Sequence, residues 1–279
     1  MSSRNEPRFF LESLAPYRLP SAHSNFAYRV PLENRWIFLK IYGPKKPRSR
    51  YEIRQFLGRM GLRQPVEYRM PEERKAFEEE TLRHWKEGGF TVPDVVDAPF
   101  PELSALPHLA TTFIEGPTLR EQLSGSRLSP EDKKALLSAL FDEVARRHDR
   151  AFTKNDRWLF HIDANTRNII CTDGGHICHV DFEMGRPWES AIACAAREIT
   201  KLLMTAAEDM PPSERRILYH AFQSTYRHDE VRRFIGKSVY GRPFQGIHRW
   251  MSSRRKEKDP RAVTLYDILD QLPPGVIFP

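Results

Sequence analysis

The sequence predicts an α+β chain in two parts: a strand-rich part over residues 1–115 and a mainly helical part over 116–279, together one domain. Three observations carry that prediction. Alternating apolar and polar residues mark strands in "FAYRVPL" (26–32) and "RWIFLKIY" (35–42), parted by the two-residue turn "EN". Apolar residues at helical spacing mark a long helix in "SPEDKKALLSALFDEVARRHDR" (129–150). After that helix comes "FHIDANTRNIICTDGGHICHVDFEMG" (160–185), where polar and titratable residues crowd around two short apolar runs.

After the first hairpin, residues 50–63 place Ile53, Phe56, Leu57 and Met60 on one face of a short helix. "PEERKAFEEETLRHWKEGG" (71–89) is a helix with Pro near its start, acids in its first turn and glycines at its end. Phe77, Leu82 and Trp85 suit its buried face. "HLATTFIEG" (108–116) is a third strand closed by Gly116-Pro117, and a hinge falls at 112–118. The long helix opens with Ser129 as N-cap, Pro130 in the first turn and Asp132 completing a capping box. Leu136, Leu137, Leu140, Phe141, Val144 and His148 form its apolar stripe. "RNIICT" and "HICHVDF" then make a hairpin around "DGG", and the last hundred residues read as mostly helical.

With 40% hydrophobic and 29% charged residues the composition is that of a globular protein. No apolar run approaches the roughly 18 residues a membrane span needs, and the first residues lack a signal-peptide core. Cys171, Cys178 and Cys194 cannot all pair, which points to free thiols in a reducing cytoplasm. The net charge is +7, with basic clusters in "GPKKPRSR" (43–50) and "SSRRKEKDPR" (252–261). Such runs are solvated loops or attract an anion: a nucleotide, a glycolipid or a membrane surface. No recognition-helix pattern or aromatic-basic RNA motif supports a nucleic-acid partner. A zinc site from His161, Cys171, His176, Cys178 and His179 lacks any C-x-x-C knuckle, so the cysteines read as small buried hydrophobes.

The chemistry converges at the ends of the 160–185 hairpin. Asp163 and Asn168 enter its first strand and Asp181 leaves its second, so three oxygen-bearing side chains meet at one mouth. Carboxylate and amide oxygens are what Mg²⁺ accepts alongside phosphate. The remaining carboxylate can then orient a hydroxyl.

At this point the residues reach a resemblance. "H-I-D-A-N-T-R-N" (161–168) followed by "V-D-F-E" (180–183) resembles the catalytic loop and metal segment of the protein-kinase-like superfamily. The resemblance implies a two-lobed fold, with a small antiparallel sheet plus helix in the N-lobe and a larger, mainly helical C-lobe. It implies Lys40 of "WIFLKIY" and Glu78 of the following helix, with Glu79 as the alternative, as the pair gripping ATP phosphates. "EGGFTVPDV" resembles the exit from that helix in aminoglycoside and choline kinases. "LATTFIEGPTL" resembles the hinge, implying adenine contacts at the backbone of Thr112, Phe113 and Ile114. "REITKLL" (197–203) resembles the helix whose acid, here Glu198, steadies the catalytic loop, with His161 as a structural histidine. Asp163 would orient the acceptor hydroxyl, Asn168 and Asp181 would hold Mg²⁺, and Arg167 would assist with phosphate charge.

The chain also departs from the pattern. "LPSAHSNFAYRV" (19–30) has no glycine where a phosphate loop would have several, so Ser24 and Asn25 are expected to make that contact. Glu183 replaces the glycine of D-F-G. Only 16 positions separate Asp181 from Arg197 and no A-P-E motif follows, which leaves no room for a peptide platform. Asn165 resembles the D-L-N-x-x-N arrangement of lipopolysaccharide-core Kdo and heptose kinases. The expectation is a cytoplasmic, Mg²⁺-dependent ATP phosphotransferase acting on an anionic small molecule, sugar or glycolipid, with peripheral membrane contact through the basic loops. An atypical Ser/Thr protein kinase and a pseudokinase scaffold are the alternatives. Residues 204–279 are expected to shape the acceptor pocket, with Arg242, His248 and Arg249 as candidates.

Overall fold

The computed structural model describes residues 12–20, 25–43, 52, 69–97, 100–125, 127–173, 175–184, 189–240, 246, 249–250, 253–254, 257, 259 and 262–271. Apart from Glu52, the short helix expected at 50–63 lies outside the described residues, as do Ser24, Arg242 and His248.

The first hairpin joins β1 (Asn25–Leu32) to β2 (Arg35–Tyr42), with Glu33 in the left-handed region at the turn (φ 53°). β3 (His108–Thr112) pairs antiparallel with the other edge of β2, so β2 is central and Lys40 stands between Ala27 and Leu109. A small core of Tyr28, Val30, Ile37, Leu39 and Ile41 forms against Val96, Leu103 and Ala110. The third strand stops at Thr112 rather than reaching Gly116: the Phe113 N–H still donates to the Trp36 carbonyl of β2, and beyond it Glu115 is exposed.

Helix α1 (Pro71–Glu87) starts with proline in its first turn, and the Met70 N–H donates to the Glu73 carboxylate at 2.7 Å. Its buried face is Arg74, Glu78, Thr81, Leu82 and Trp85, a stripe that carries two charges as well as the expected apolar residues, while Phe77 is half-buried. α2 (Leu119–Ser124) follows the hinge. α3 (Pro130–Lys154) is capped by Ser129, whose Oγ accepts the Asp132 N–H, and ends on Asn155 in the left-handed conformation.

β4 (Ile169–Cys171) and β5 (Ile177–His179) form the second hairpin, each three residues long. They are short because neighbours take their outer edges: the Cys171 N–H donates to the Pro117 carbonyl and the His179 N–H to Thr91. α4 (Ala191–Asp209), α5 (Arg215–Thr225), α6 (Asp229–Tyr240) and α7 (Leu265–Gln271) complete the helical part. α5 packs on α3, and α6 and α7 pack on α4. The larger core joins Leu137, Phe141 and Val144 of α3 to Ile199 and Leu202 of α4 and Phe222 of α5. Tyr42, Trp85 and Leu109 belong to this core rather than the smaller one, so the end of β2 and α1 straddle the two parts. Among the described residues no helix is long and apolar enough to cross a membrane.

Candidate active site

β2 places Lys40 in the seam between the sheet, α1 and the segment after β5. Its Nζ lies 2.8 Å from Glu78 Oε2, 2.5 Å from Asp181 Oδ1 and 3.5 Å from Glu183 Oε2. The Tyr42 hydroxyl donates to Glu78 Oε2 at 2.6 Å, and the Phe182 N–H donates to Oε1 at 3.3 Å. Burial would pull the Lys40 ammonium down, but the Asp181, Glu78 and Glu183 carboxylates outweigh it and raise its pKa. Burial likewise pushes the Glu78 carboxyl up, against the pull of Lys40.

Asp181 sits in the left-handed region at φ 67°, a conformation that short polar residues tolerate best. Both neighbours of that strained residue are fixed. The Val180 N–H donates to the Asn168 carbonyl at 3.0 Å, and the Val180 carbonyl meets His161 Nε2 at 3.0 Å. Phe182 packs between Trp85 and His161, with ring centroids 4.7 and 4.6 Å away.

The loop carrying Asp163 stands on a buried ionic platform. Glu198 of α4 accepts the His161 N–H at 2.9 Å, a contact from Arg147 Nη1 at 3.1 Å and another from His148 Nε2 at 3.1 Å. Arg147 also donates to the Leu159 carbonyl at 2.5 Å and to Glu143 at 3.1 Å, and lies 4.1 Å over the Trp85 ring. Burial works against the Glu198 charge, yet Arg147 and His148 hold its carboxyl well below the usual range. Glu143 is held down to about 2 in the same way, by Arg147 and His179 against burial. Burial, with His179 adding to it, lowers His161 to about 4, so a neutral imidazole donates to Val180.

Within the loop, the Asp163 carbonyl accepts from the side-chain amides of Asn165 at 3.0 Å and Asn168 at 3.1 Å. The Asp163 carboxylate lies 3.5 Å from Asn168 Nδ2 and 3.8 Å from Lys201 Nζ. Burial pushes that carboxyl up, and Lys201 partly offsets the effect.

Lys40, Glu78 and Asp181 are thus in direct contact, and Asp163 and Asn168 bond to each other. Asn25 is engaged by protein: its Nδ2 donates to Glu183 Oε2 at 2.6 Å, and its Oδ1 accepts from Arg74 Nη1 at 2.8 Å. At the hinge, the Thr112 N–H donates to Asp94 at 2.8 Å and the Phe113 N–H to Trp36 at 3.2 Å, while Ile114 follows half-buried. Arg167 is exposed, and Arg249 lies 5.1 Å over the Tyr266 ring. Sequence reasoning missed Arg74, Arg147, Lys201 and the contacts of Glu183. Arg74 was the findable one, since it precedes Glu78 by one helical turn on the same face. No local pattern links Arg147 to Glu198, which lies 51 positions away.

Glu78, Asp181 and Glu183 offer oxygens within 4.8 Å of one another, the one metal-competent group among the described residues. This all-oxygen donor set suits a hard cation such as Mg²⁺. Cys171 and Cys178 are buried, and burial pushes their thiols up to about 11 and about 12. Neither is a ready thiolate ligand at neutral pH.

No protein-family model and no curated protein matches the sequence. Among solved structures the chain is similar to WaaP in complex with acyl carrier protein, at 17% identity and a TM-score of 0.50, covering 90% of this chain and 92% of that one. It is also similar to the PknI kinase domain of Mycobacterium tuberculosis, at 18% identity and a TM-score of 0.42, covering 80% and 83%. The chain has a protein-kinase-like fold. In kinase-like terms the three-stranded sheet with α1 is the small lobe, and the helices around α3 and α4 are the large one. At these identities the likeness fixes the fold, and the chemistry must be argued from the residues above.

Proposed function

We propose that this protein is a Mg²⁺-dependent ATP phosphotransferase that passes the γ-phosphate to a hydroxyl, on a sugar or a lipopolysaccharide-type glycolipid. The observation that carries the reading is Lys40 held 2.8 Å from Glu78 and 2.5 Å from Asp181 on a kinase-like fold. Residues 1–115 would clamp the nucleotide, and residues 116–279 would supply the catalytic loop and the acceptor pocket. Lys40 would bind ATP phosphates, oriented by Glu78. Asp181 and Asn168 would hold Mg²⁺, which neutralises charge on the transferring group when bound. Asp163 would accept or orient the acceptor hydroxyl, steadied by its contacts with Asn168 and by the His161–Glu198 platform. Lys201 would bring positive charge beside Asp163, where Asn165 brings none. With the Thr112 and Phe113 N–H groups committed to Asp94 and Trp36, adenine recognition would fall to the carbonyls of Thr112 and Phe113 and the backbone of Ile114.

The acceptor class is supported by the short run from Asp181 to Arg197 and by Asn165. Arg167 at the exposed rim and the basic segments 43–50 and 252–261 would suit an anionic acceptor or a membrane surface in the cytoplasm. The test is transfer of label from γ-labelled ATP with Mg²⁺ into an extract of the source cells, fractionated into protein, glycolipid and small molecules, with Asp163→Asn as control. Label in glycolipid from the wild type alone supports the reading. Label in protein would favour an atypical protein kinase, and no transfer by a well-folded chain would favour a pseudokinase.

A further inference from the structure

The chain has no glycine in the segment where a kinase-like fold ordinarily cradles phosphate with backbone amides. The structure shows a different anion cradle close by. Three donors from three elements converge on a single oxygen, Glu183 Oε2: Asn25 Nδ2 at 2.6 Å, Arg74 Nη1 at 3.3 Å and Lys40 Nζ at 3.5 Å. Asn25 begins β1, Lys40 is near the end of β2 and Arg74 lies on α1. The Arg74 side chain is fully buried, and its guanidinium is held in place by the Asn25 amide oxygen and the Gly43 carbonyl. Its Nε has no hydrogen-bond partner among the described residues. A buried arginine beside a buried lysine, aimed with an amide at one oxygen, is the donor set that recognises a phosphate.

We propose that Asn25, Arg74 and Lys40 form the phosphate cradle of the nucleotide site, and that the Glu183 carboxylate is an internal stand-in which an entering phosphate displaces. Arg74 then does with its side chain what glycine-loop amides do elsewhere. Glu183 lies at the position of the D-F-G glycine, three residues past Val180 and next to Phe182, so it can leave the cradle by side-chain rotation while Asp181 keeps its place. Its side chain is 15% exposed where that of Arg74 is 0% exposed, so Glu183 is the member of the pair that reaches solvent. The carboxylate holds the cations in position and competes with the ligand for them. Affinity for phosphate is reduced by the fraction of molecules in which Glu183 fills the cradle.

The inference rests on the nucleotide reading above, and its test separates the two. Binding of ADP and of adenosine to the full chain would be measured by titration calorimetry with EDTA present, which removes any role of Glu183 toward a metal. Glu183→Gln keeps the shape and removes the charge. It should tighten ADP about fivefold or more and leave adenosine unchanged. Arg74→Lys should weaken ADP and again leave adenosine unchanged. Tighter ADP in Glu183→Gln alone supports the cradle even if Arg74→Lys fails to fold. ADP bound equally or more weakly by Glu183→Gln, with wild-type binding intact, overturns the cradle and leaves the nucleotide reading standing. A wild type that binds neither ligand in EDTA or with Mg²⁺ restored overturns both.

Discussion

Asp163 and His161 are two positions apart and do different work, and their surroundings show why. The Asp163 carboxylate is reached by Asn168 and Lys201 and remains partly exposed, which is what a group meeting a substrate hydroxyl requires. Asp163→Asn should lower turnover by about 10²-fold or more and leave ADP affinity intact, measured by initial rates and by titration. Near-normal rates would remove Asp163 from the role of base. His161 is buried and neutral, with its folded pKa at about 4 against an ordinary 6.5. A histidine depressed in the fold stabilises the protein fully above the unfolded pKa and loses that contribution as pH falls toward the folded one. Glu143, at about 2 against 4.5, adds a second loss over the lower range from 4.5 to 2. Resistance to urea should therefore begin to decline below about pH 6.5, above the range in which Glu143 titrates. His161 contributes up to ~3 kcal/mol to that decline by pH 4. His161→Gln should flatten the upper limb of the curve. A flat profile between pH 6.5 and 5 in the wild type would refute this account.

At the scale of elements, the local code and the tertiary code can be told apart. β1, β2, α1 and α3 were legible because alternation, helical spacing, Pro130 with its Ser129 cap and the glycines after Glu87 are all written within one segment. So was the order of Lys40, Glu78, Asp163 and Asp181. The hairpin of β4 and β5 was legible too, but its three-residue limits were not, since they are set by Pro117 and Thr91 from outside the hairpin. Glu198 was singled out through the resemblance, whereas Arg147 looks like a solvated charge in sequence, and only the packing of α3 on α4 makes the two a buried pair. The hinge shows the same dependence. Gly116 has φ 145° and approaches the Cys171 carbonyl so closely that a Cβ would collide with its oxygen. Gly116→Ala demands both a conformation alanine avoids and a shift of β4, which follows directly on the loop carrying Asp163. It should cost on the order of 2–4 kcal/mol by urea denaturation. A loss below the usual surface-substitution range of about 0.5 kcal/mol would mean the hinge can relax.

At the scale of the molecule, the two cores meet along a seam that the charges bridge. Lys40 comes from the sheet, Glu78 from α1, and Asp181 and Glu183 from the segment after β5. Asn25 ties the start of β1 to the same place through Glu183 and Arg74. A ligand that binds there contacts both parts at once, so its binding free energy adds to the stability of the folded whole. Under the phosphotransferase reading, ATP with Mg²⁺ at about a hundred times its dissociation constant should stabilise the chain by ~2.7 kcal/mol. For a protein of this length that corresponds to a rise in Tm of about 5 °C, readable by scanning fluorimetry. Asp181→Asn should reduce the Mg²⁺-dependent part of the rise, because the metal loses a charged ligand while Lys40 and Arg74 still meet the phosphates. It should leave the smaller shift with ATP in EDTA. An equal loss of both shifts would mean that Asp181 supports the seam through Lys40 rather than through the metal. No shift in the wild type would mean the seam is a structural ionic joint on a kinase-like scaffold.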